Sequence, residues 1–188
     1  MMQVAVLLEC ACMIAVPVAS QELIEDNPSL EHYQDEEDCF PFNGTWYTVY
    51  RNFENDPYLG GNATCIRTTE TGAYAGGSTT ATVQYSPNVS LNVKLTLASS
   101  SGYSVLNVIQ VQSADDPSVN FNLTNAYRDC QKCKVFRHSY INEGQGCSLW
   151  KPESQLGTID TCCDFVFDLL CGTSNKYQIY TAACSDFA

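Results

Sequence analysis

Hydrophobic and polar residues alternate along the middle of the chain, most clearly over residues 89–97. Val89, Leu91, Val93, Leu95 and Leu97 would share one face of a strand, and the residues between them are polar. A second alternation covers 119–124. Further β-branched and aromatic stretches lie at 45–50, 64–69, 79–85, 103–111, 134–140 and 148–150. About eight short strands separated by turns are typical of an up-and-down barrel or a sandwich.

One convincing helix follows the strands, near residues 160–171. Cys163, Phe167 and Leu170 recur at helical spacing, Thr158 or Asp160 precedes them as a cap, and Gly172 suits the end of a helix. A short strand-like segment, 177–180, comes after it. A helix in this position would pack on the outside of a closed barrel.

The first 20 residues have the pattern of a secretory signal peptide. Residues 4–18 form an apolar run, Ala19 and Ser20 are small, and cleavage is expected before Gln21, although Glu9 interrupts the run. The run is too short for a membrane anchor, which needs about 20 apolar residues. Four glycosylation sequons fit a secreted, extracellular protein, and they begin at Asn43, Asn62, Asn88 and Asn122. The domain proper is expected over 39–188.

The net charge of −12 is concentrated in residues 21–38, which hold eight acidic side chains and no Lys or Arg. We expect this extension to be flexible or weakly helical, and nothing basic suggests nucleic acid as a partner. It is either a solubilising tail or, with Tyr33 as a sulfation site, a contact for a basic host protein. Deleting 21–38 would then abolish protein binding and leave small-ligand binding intact.

Cysteine dominates the candidate chemistry. Of eleven cysteines, Cys10 and Cys12 leave with the leader, so nine remain. Cys162 and Cys163 are adjacent, and neighbouring residues on a helix point in different directions, so each is expected to bond a different segment. The pair Cys130-x-x-Cys133 is interpreted as part of the disulfide set, because no second such pair completes a zinc site. We therefore predict no metal and no cofactor.

Catalysis is not indicated. The sequence contains no nucleophile elbow, and His138 has no evident Ser or Asp partner. The protein is therefore predicted not to be an enzyme.

Three stretches together resemble the tick salivary lipocalins, also called the tick histamine-binding proteins. They are 46–57 with Gly60 and Cys65 after it, Cys133 followed by Ser148-Leu149-Trp150, and the Cys162–Cys163 helix followed by Cys171-Gly172 and Cys184. The resemblance implies an all-β fold, an eight-stranded antiparallel barrel with a C-terminal helix and a ligand cavity. It also implies the disulfides Cys39–Cys162, Cys65–Cys184 and Cys133–Cys163, with Cys147–Cys171 a plausible fourth and Cys130 left over.

The resemblance also bears on the ligand. Amine-binding members carry acids where this chain has Lys134 and Ser148, and a buried ammonium needs a carboxylate. Asp56 is retained, either as an amine partner or as a turn former. We therefore expect a monomer that binds a small host inflammatory or haemostatic mediator, with a lipid such as an eicosanoid or fatty acid favoured and histamine or serotonin the alternative. Predicted ligand contacts are Trp46, Tyr50, Arg51, Phe53, Asp56, Lys134 and Trp150, with Lys94 and Arg137 as further carboxylate partners.

Overall fold

Eight strands close into one antiparallel barrel in the computed structural model, which describes residues 23–42 and 44–186. The strands are β1 (Thr45–Arg51), β2 (Arg67–Glu70), β3 (Ser78–Tyr85), β4 (Val89–Ala98), β5 (Val108–Ser113), β6 (Asn120–Asp129), β7 (Cys133–His138) and β8 (Gly146–Pro152), and a short β9 (Tyr177–Gln178) adds to β1. From β1 to β8 each strand pairs with the next, and β1 closes the barrel by pairing with β8 as well as with β2. The predicted barrel is confirmed. The predicted leader and the Asn43 sequon lie outside the described residues.

The alternation in β4 explains how the barrel acquires an apolar interior. Val93, Leu95 and Leu97 are buried, whereas Lys94 between them is exposed. Strand β5 begins at Val108, later than the predicted 103, because the Asn107 side chain accepts a hydrogen bond from the Ser100 backbone (2.8 Å) and holds 99–107 as a loop.

Helix α1 (Thr161–Cys171) packs on the outside of the barrel, as predicted. The Asp160 carboxylate accepts hydrogen bonds from the backbones of Cys162 (3.0 Å) and Cys163 (3.2 Å), which identifies it as the cap. Gly172 ends the helix at a φ of +79°, a left-handed value that favours glycine. The inner face buries Cys163 and Phe167 against β7 and β8. No helix within 23–42 or 44–186 has the length and apolarity needed to cross a membrane.

Four disulfides join distant parts of the chain. They are Cys39–Cys130, Cys65–Cys184, Cys133–Cys163 and Cys147–Cys171. The last three agree with the expectation, and both cysteines of Cys130-x-x-Cys133 are disulfide-bonded. The implied Cys39–Cys162 bond is wrong, because Cys39 bonds Cys130 and Cys162 is a free, exposed thiol. Cys163 alone ties the helix to β7, so the expectation that both adjacent cysteines are bonded is also wrong.

The described part of the acidic extension folds against the barrel. It forms three short 3₁₀ helices, Ile24–Asp26, Pro28–Tyr33 and Glu37–Cys39. Glu25 and Glu36 are buried, and the Glu36 backbone donates a hydrogen bond to the Leu106 carbonyl (2.9 Å). The Cys39–Cys130 bond fixes its end to β6 and the β6–β7 turn. Of the two expectations for the extension, the weakly helical one agrees with the structure and the flexible one does not, since buried carboxylates with basic partners hold residues 23–39 against the barrel.

Candidate ligand-binding site

A cavity of about 50 Å³ lies inside the barrel. Its wall is almost wholly apolar, built from inward-facing residues of the strands, of the β1–β2 loop and of the segment that precedes β1. The apolar lining consists of Phe42, Trp46, Leu59, Val83, Leu95, Ile109, Val111, Phe121, Leu123, Phe136 and Trp150. The polar side chains that join them are Thr68, Glu36 and Lys134. The pocket can therefore hold an apolar body, with charged groups only where Glu36 and Lys134 lie.

Glu36 and Lys134 form a buried ion pair, here called the floor pair, at the end of the barrel that residues 23–42 cover. Glu36 is fully buried and the Lys134 side chain nearly so. One carboxylate oxygen of Glu36 pairs with the Lys134 ammonium, and the other accepts a hydrogen bond from the Asn125 side-chain amide. Burial raises the pKa of Glu36 above its ordinary value, while Lys134 and Asn125 act in the opposite direction.

Three aromatic rings surround the ammonium of Lys134. Its nitrogen lies 4.8 Å from the Trp46 ring centre, 5.5 Å from that of Phe42 and 5.6 Å from that of Phe40. Within about 6 Å of a ring centre, a cation is attracted to the electron-rich face. The floor pair therefore sits in an environment that stabilises a positive charge from several sides.

A second buried polar cluster, here called the Asp56 network, occupies the other end of the barrel interior. It consists of Arg51, Asp56, His138, Tyr140 and Ser148. His138 lies four residues beyond Lys134 on β7, which places it about 13 Å further along the same face of the strand. Arg51 approaches Asp56 at 3.7 Å and donates hydrogen bonds to the Glu54 and Gly61 carbonyls, both at 2.7 Å.

The directions of the hydrogen bonds in this network follow from Asp56, whose carboxylate can only accept. The Tyr140 hydroxyl donates to the nearer Asp56 oxygen (3.4 Å), so it accepts from the Nδ1–H of His138 (2.9 Å). In the neutral imidazole, Nε2 then accepts from the Ser148 hydroxyl (2.7 Å), which itself accepts from the Trp150 indole N–H (2.7 Å). Burial lowers the pKa of His138 to about 3, which keeps the imidazole neutral.

The predicted ligand contacts separate into three groups. Trp46, Lys134 and Trp150 line the cavity. Arg51 and Asp56 belong to the Asp56 network, and Phe53 packs beside them with its ring 5.0 Å from that of His138. The predicted ligand contact of Tyr50 is corrected, because Tyr50 faces helix α1. Its ring packs against Phe167 and its hydroxyl donates a hydrogen bond to Asp164 (2.7 Å).

Two other predicted carboxylate partners are also placed away from the cavity. Arg137 lies beneath helix α1, where it pairs with Glu25 and donates to the Leu170 carbonyl (2.7 Å). Lys94 is exposed. Both assignments to the ligand site are therefore corrected. Asp56 accepts hydrogen bonds from the Tyr58 (3.0 Å) and Leu59 (3.1 Å) backbones, which confirms its interpretation as a turn former.

Sequence reasoning missed Glu36, Asn125 and the Ser148 partner of His138. Glu36 lies in an acidic run without periodicity, so no pattern distinguished it from a solvated charge. Its place in the lining also corrects the expectation that deletion of 21–38 leaves the small-ligand site intact, because that deletion removes a cavity residue. Ser148 lies opposite Phe136 in the β7–β8 pair and is therefore the diagonal neighbour of His138 on the same face, a contact that only the strand register reveals.

The closed eight-stranded barrel, the external C-terminal helix and the internal cavity define a lipocalin. The sequence matches the family described as tick histamine binding protein over residues 24–186. The chain belongs to that family, whose members are binding proteins rather than enzymes.

Solved structures give the same fold at low identity. A protein called AM182, in complex with serotonin, is 20% identical with a TM-score of 0.57, over 81% of this chain and 90% of that one. Japanin from Rhipicephalus appendiculatus, bound to cholesterol, is 14% identical with a TM-score of 0.50, over 73% and 93%. Lobster apocrustacyanin A1 is 11% identical with a TM-score of 0.53, over 86% and 88%. Comparison with curated proteins found no match.

Proposed function

We propose that the protein is secreted in saliva and sequesters a small, mostly apolar host mediator in its barrel, which dampens inflammation or haemostasis. The observation that carries the proposal is the chemistry of the cavity. Its wall is apolar, and the two charged side chains that line it, Glu36 and Lys134, already neutralise each other. Such a site binds a ligand through burial of its apolar surface and offers no net charge to an ionic ligand.

A charged ligand would have to break the floor pair. An ammonium that takes Glu36 leaves Lys134 buried without a partner, and a carboxylate that takes Lys134 does the same to Glu36. Leaving one member of a buried pair unpaired costs about 3–5 kcal/mol. An eicosanoid or fatty acid therefore fits best with its chain in the cavity and its carboxylate away from the floor pair.

The volume of the cavity favours a compact ligand. Pockets for drug-sized molecules measure roughly 300–1,000 Å³, and this cavity measures about 50 Å³. A long lipid would have to displace lining side chains, of which Leu59 on the β1–β2 loop and Phe42 before β1 lie outside the strands. We therefore expect short or folded apolar mediators to bind more tightly than extended ones.

A biogenic amine is the second candidate, and one observation favours it. Glu36 offers a carboxylate inside an aromatic cage formed by Phe40, Phe42 and Trp46. AM182, similar in fold, was solved with serotonin. Against this candidate, Lys134 already occupies the cage.

Binding of a basic host protein is a third candidate with weaker support. Three acids of the 23–38 segment form intramolecular ion pairs, Glu25 with Arg137 and Glu36 with Lys134 in the interior and Asp38 with Arg128 at the surface. Tyr33 is half exposed, so its proposed sulfation is sterically open.

Secretion is supported by the four disulfides, which persist in oxidising compartments. The described sequon residues Asn62, Asn88 and Asn122 are exposed, as glycan attachment requires.

The chain contains two tryptophans, and both line the cavity, so intrinsic fluorescence can report binding without a label. Titration with arachidonate, a leukotriene, cholesterol, serotonin and histamine should give a saturable change in tryptophan emission for at least one apolar compound and none for histamine. Isothermal titration on the same samples provides the affinities.

Two variants on one strand serve as a matched pair. Val111→Phe adds a ring to the cavity and should abolish the fluorescence response, whereas Gln110→Phe, on the exposed face of β5, should leave it unchanged. Saturable histamine binding at submicromolar concentration with no response to any lipid would contradict the proposal.

A further inference from the structure

Lys134 occupies the position that a ligand ammonium would take in this barrel. Its nitrogen pairs with the Glu36 carboxylate and lies 4.8–5.6 Å from three aromatic ring centres. A carboxylate combined with an aromatic cage is the arrangement that recognises a buried alkylammonium. The protein therefore fills an ammonium site with a side chain of its own.

We propose that Lys134 is a specificity-determining residue, which holds this ammonium site closed to free amines, and that its removal converts the cavity into a site for primary alkylamines. The inference deepens the proposed function, because it concerns which ligands the same cavity rejects.

The site would persist after Lys134 is shortened, because other contacts hold Glu36. Its backbone N–H donates to the Leu106 carbonyl (2.9 Å), and its carbonyl accepts from the Cys39 backbone (3.0 Å). The Cys39–Cys130 disulfide anchors the following turn. Asn125 continues to donate to the carboxylate from β6.

The site also has acceptor capacity that Lys134 leaves unused. Oδ1 of Asn125 is buried without a hydrogen-bond partner among the described residues, beside the carboxylate that its amide nitrogen contacts. An ammonium carries three donors, and within the described part of the chain that of Lys134 makes one hydrogen bond, to Glu36. A free amine, released from the backbone of β7, could turn its remaining donors toward this oxygen.

The size of the missing group defines the probe. Lys134→Ala removes three methylene groups and the ammonium, so n-propylammonium is the piece that is lost. It matches the vacated volume and restores the charge beside Glu36. n-Propanol has the same length without the charge and separates filling of space from recognition of the cation.

The test compares thermal unfolding of the full chain and of Lys134→Ala, each with n-propylammonium or n-propanol. We expect the amine to raise the melting temperature of Lys134→Ala saturably and by several degrees, with little effect from the alcohol and none on the wild type. Lys94→Ala, which removes an exposed lysine, is the matched control and should not respond. Serotonin should bind Lys134→Ala at least about tenfold more tightly than it binds the wild type, as one charge-assisted hydrogen bond predicts.

The double variant Glu36→Gln/Lys134→Ala should lose the response to the amine. Retention of the response in this double variant, an equal response to propanol, or unchanged serotonin affinity in Lys134→Ala would each overturn the inference. If Lys134→Ala does not fold by itself, recovery of folding with propylammonium but not with propanol is the expected result, and recovery with neither counts against the site. Binding of apolar ligands to the wild type tests the proposed function separately, so the two can fail independently.

Discussion

Two buried carboxylates, Glu36 and Asp56, face basic side chains at opposite ends of the barrel interior, and they are held in different ways. Asp56 accepts hydrogen bonds from two backbone N–H groups of its own turn, and its partner Arg51 donates to two backbone carbonyls. Glu36 comes from outside the barrel strands, and its partner Lys134 contacts aromatic rings. Glu36 and Lys134 line the cavity, whereas Arg51 and Asp56 are absent from its lining.

The difference shows that the retained acid has a role in its own turn, and contact of Asp56 with a ligand stays a prediction. Asp56 and Arg51 complete the hydrogen bonding of the β1–β2 loop, so their charges are part of the fold. The charges of the floor pair complete no backbone hydrogen bond, so a ligand or a substitution can replace one of them. The floor pair therefore determines which charged groups the cavity can accept.

The double variant Cys39→Ser/Cys130→Ser, which removes a disulfide near the floor pair, should cause the largest loss of stability. The bond spans 91 residues, and a closed loop of that length corresponds to about 4–5 kcal/mol in the free energy of unfolding. Urea unfolding measures this loss, and tryptophan emission should show weaker binding of apolar ligands, because the disulfide anchors the turn that follows Glu36.

The matched control is Cys162→Ser, which removes the free thiol and should change stability by less than about 0.5 kcal/mol. A non-reducing peptide map of the wild type that joins Cys39 to Cys162 would contradict both expectations.

Arg51→Met should destabilise the protein by about 3–5 kcal/mol, because Asp56 is left as an unpaired buried charge. The additional substitution Asp56→Asn should recover little of the stability lost in Arg51→Met, since the Glu54 and Gly61 carbonyls still lack the donor that Arg51 supplied. At the floor, Glu36→Gln should recover most of the stability that Lys134→Met loses. If urea unfolding showed that Asp56→Asn and Glu36→Gln regain equal fractions of the lost stability, the two buried pairs would not differ in the way described.

Acid should weaken the end of the barrel that contains His138. The pKa of His138 is about 3 in the folded protein, against about 6.5 in an unfolded chain. As the pH falls below about 6.5, the unfolded state takes up the proton first, so stability is lost between that pH and about 3. From pH 7 to pH 5 the loss due to His138 is about 2 kcal/mol, at 1.36 kcal/mol per pH unit.

Urea unfolding of the wild type and of His138→Gln at the two pH values isolates this contribution. The variant should lose about 2 kcal/mol less than the wild type over this range, and Glu36 and Asp56 contribute equally to both proteins. His32→Gln, at the exposed surface, is the control and should retain the wild-type slope. An unchanged slope in His138→Gln would show that the imidazole is protonated in the folded state.

Tyr50→Phe should have the smallest effect. It removes the hydrogen bond to Asp164 on helix α1 and should cost about 1 kcal/mol. Because Tyr50 faces the helix, the affinity for cavity ligands should not change. A marked loss of ligand affinity, with stability preserved, would show that Tyr50 contacts the ligand after all.

Local patterns predicted the barrel and its helix, because alternation at Val93, Leu95 and Leu97 and the cap at Asp160 are short-range signals. Trp46, Lys134 and Trp150, three of the predicted contacts, line the cavity, and their contact with a ligand stays a prediction. Glu36 could not be found, since its burial depends on Lys134 and Asn125, about 90–100 residues away. The predicted Cys39–Cys162 bond was wrong for the same reason, because sequence does not fix which cysteines meet, and Cys39 bonds Cys130 instead.

The long separations at the floor also have a consequence for how the molecule folds. Cys39 and Glu36 meet partners 91 and 98 residues later in the chain, and Glu25 of the same extension meets Arg137, beneath helix α1, 112 residues later. Contacts of such high order carry a large loop-closure entropy and generally form after local hairpins such as β3–β4. We expect the contacts of the floor pair and of the Cys39–Cys130 bond to form last, after the strands have paired. Substitutions in the floor pair should then accelerate unfolding while leaving the folding rate nearly unchanged.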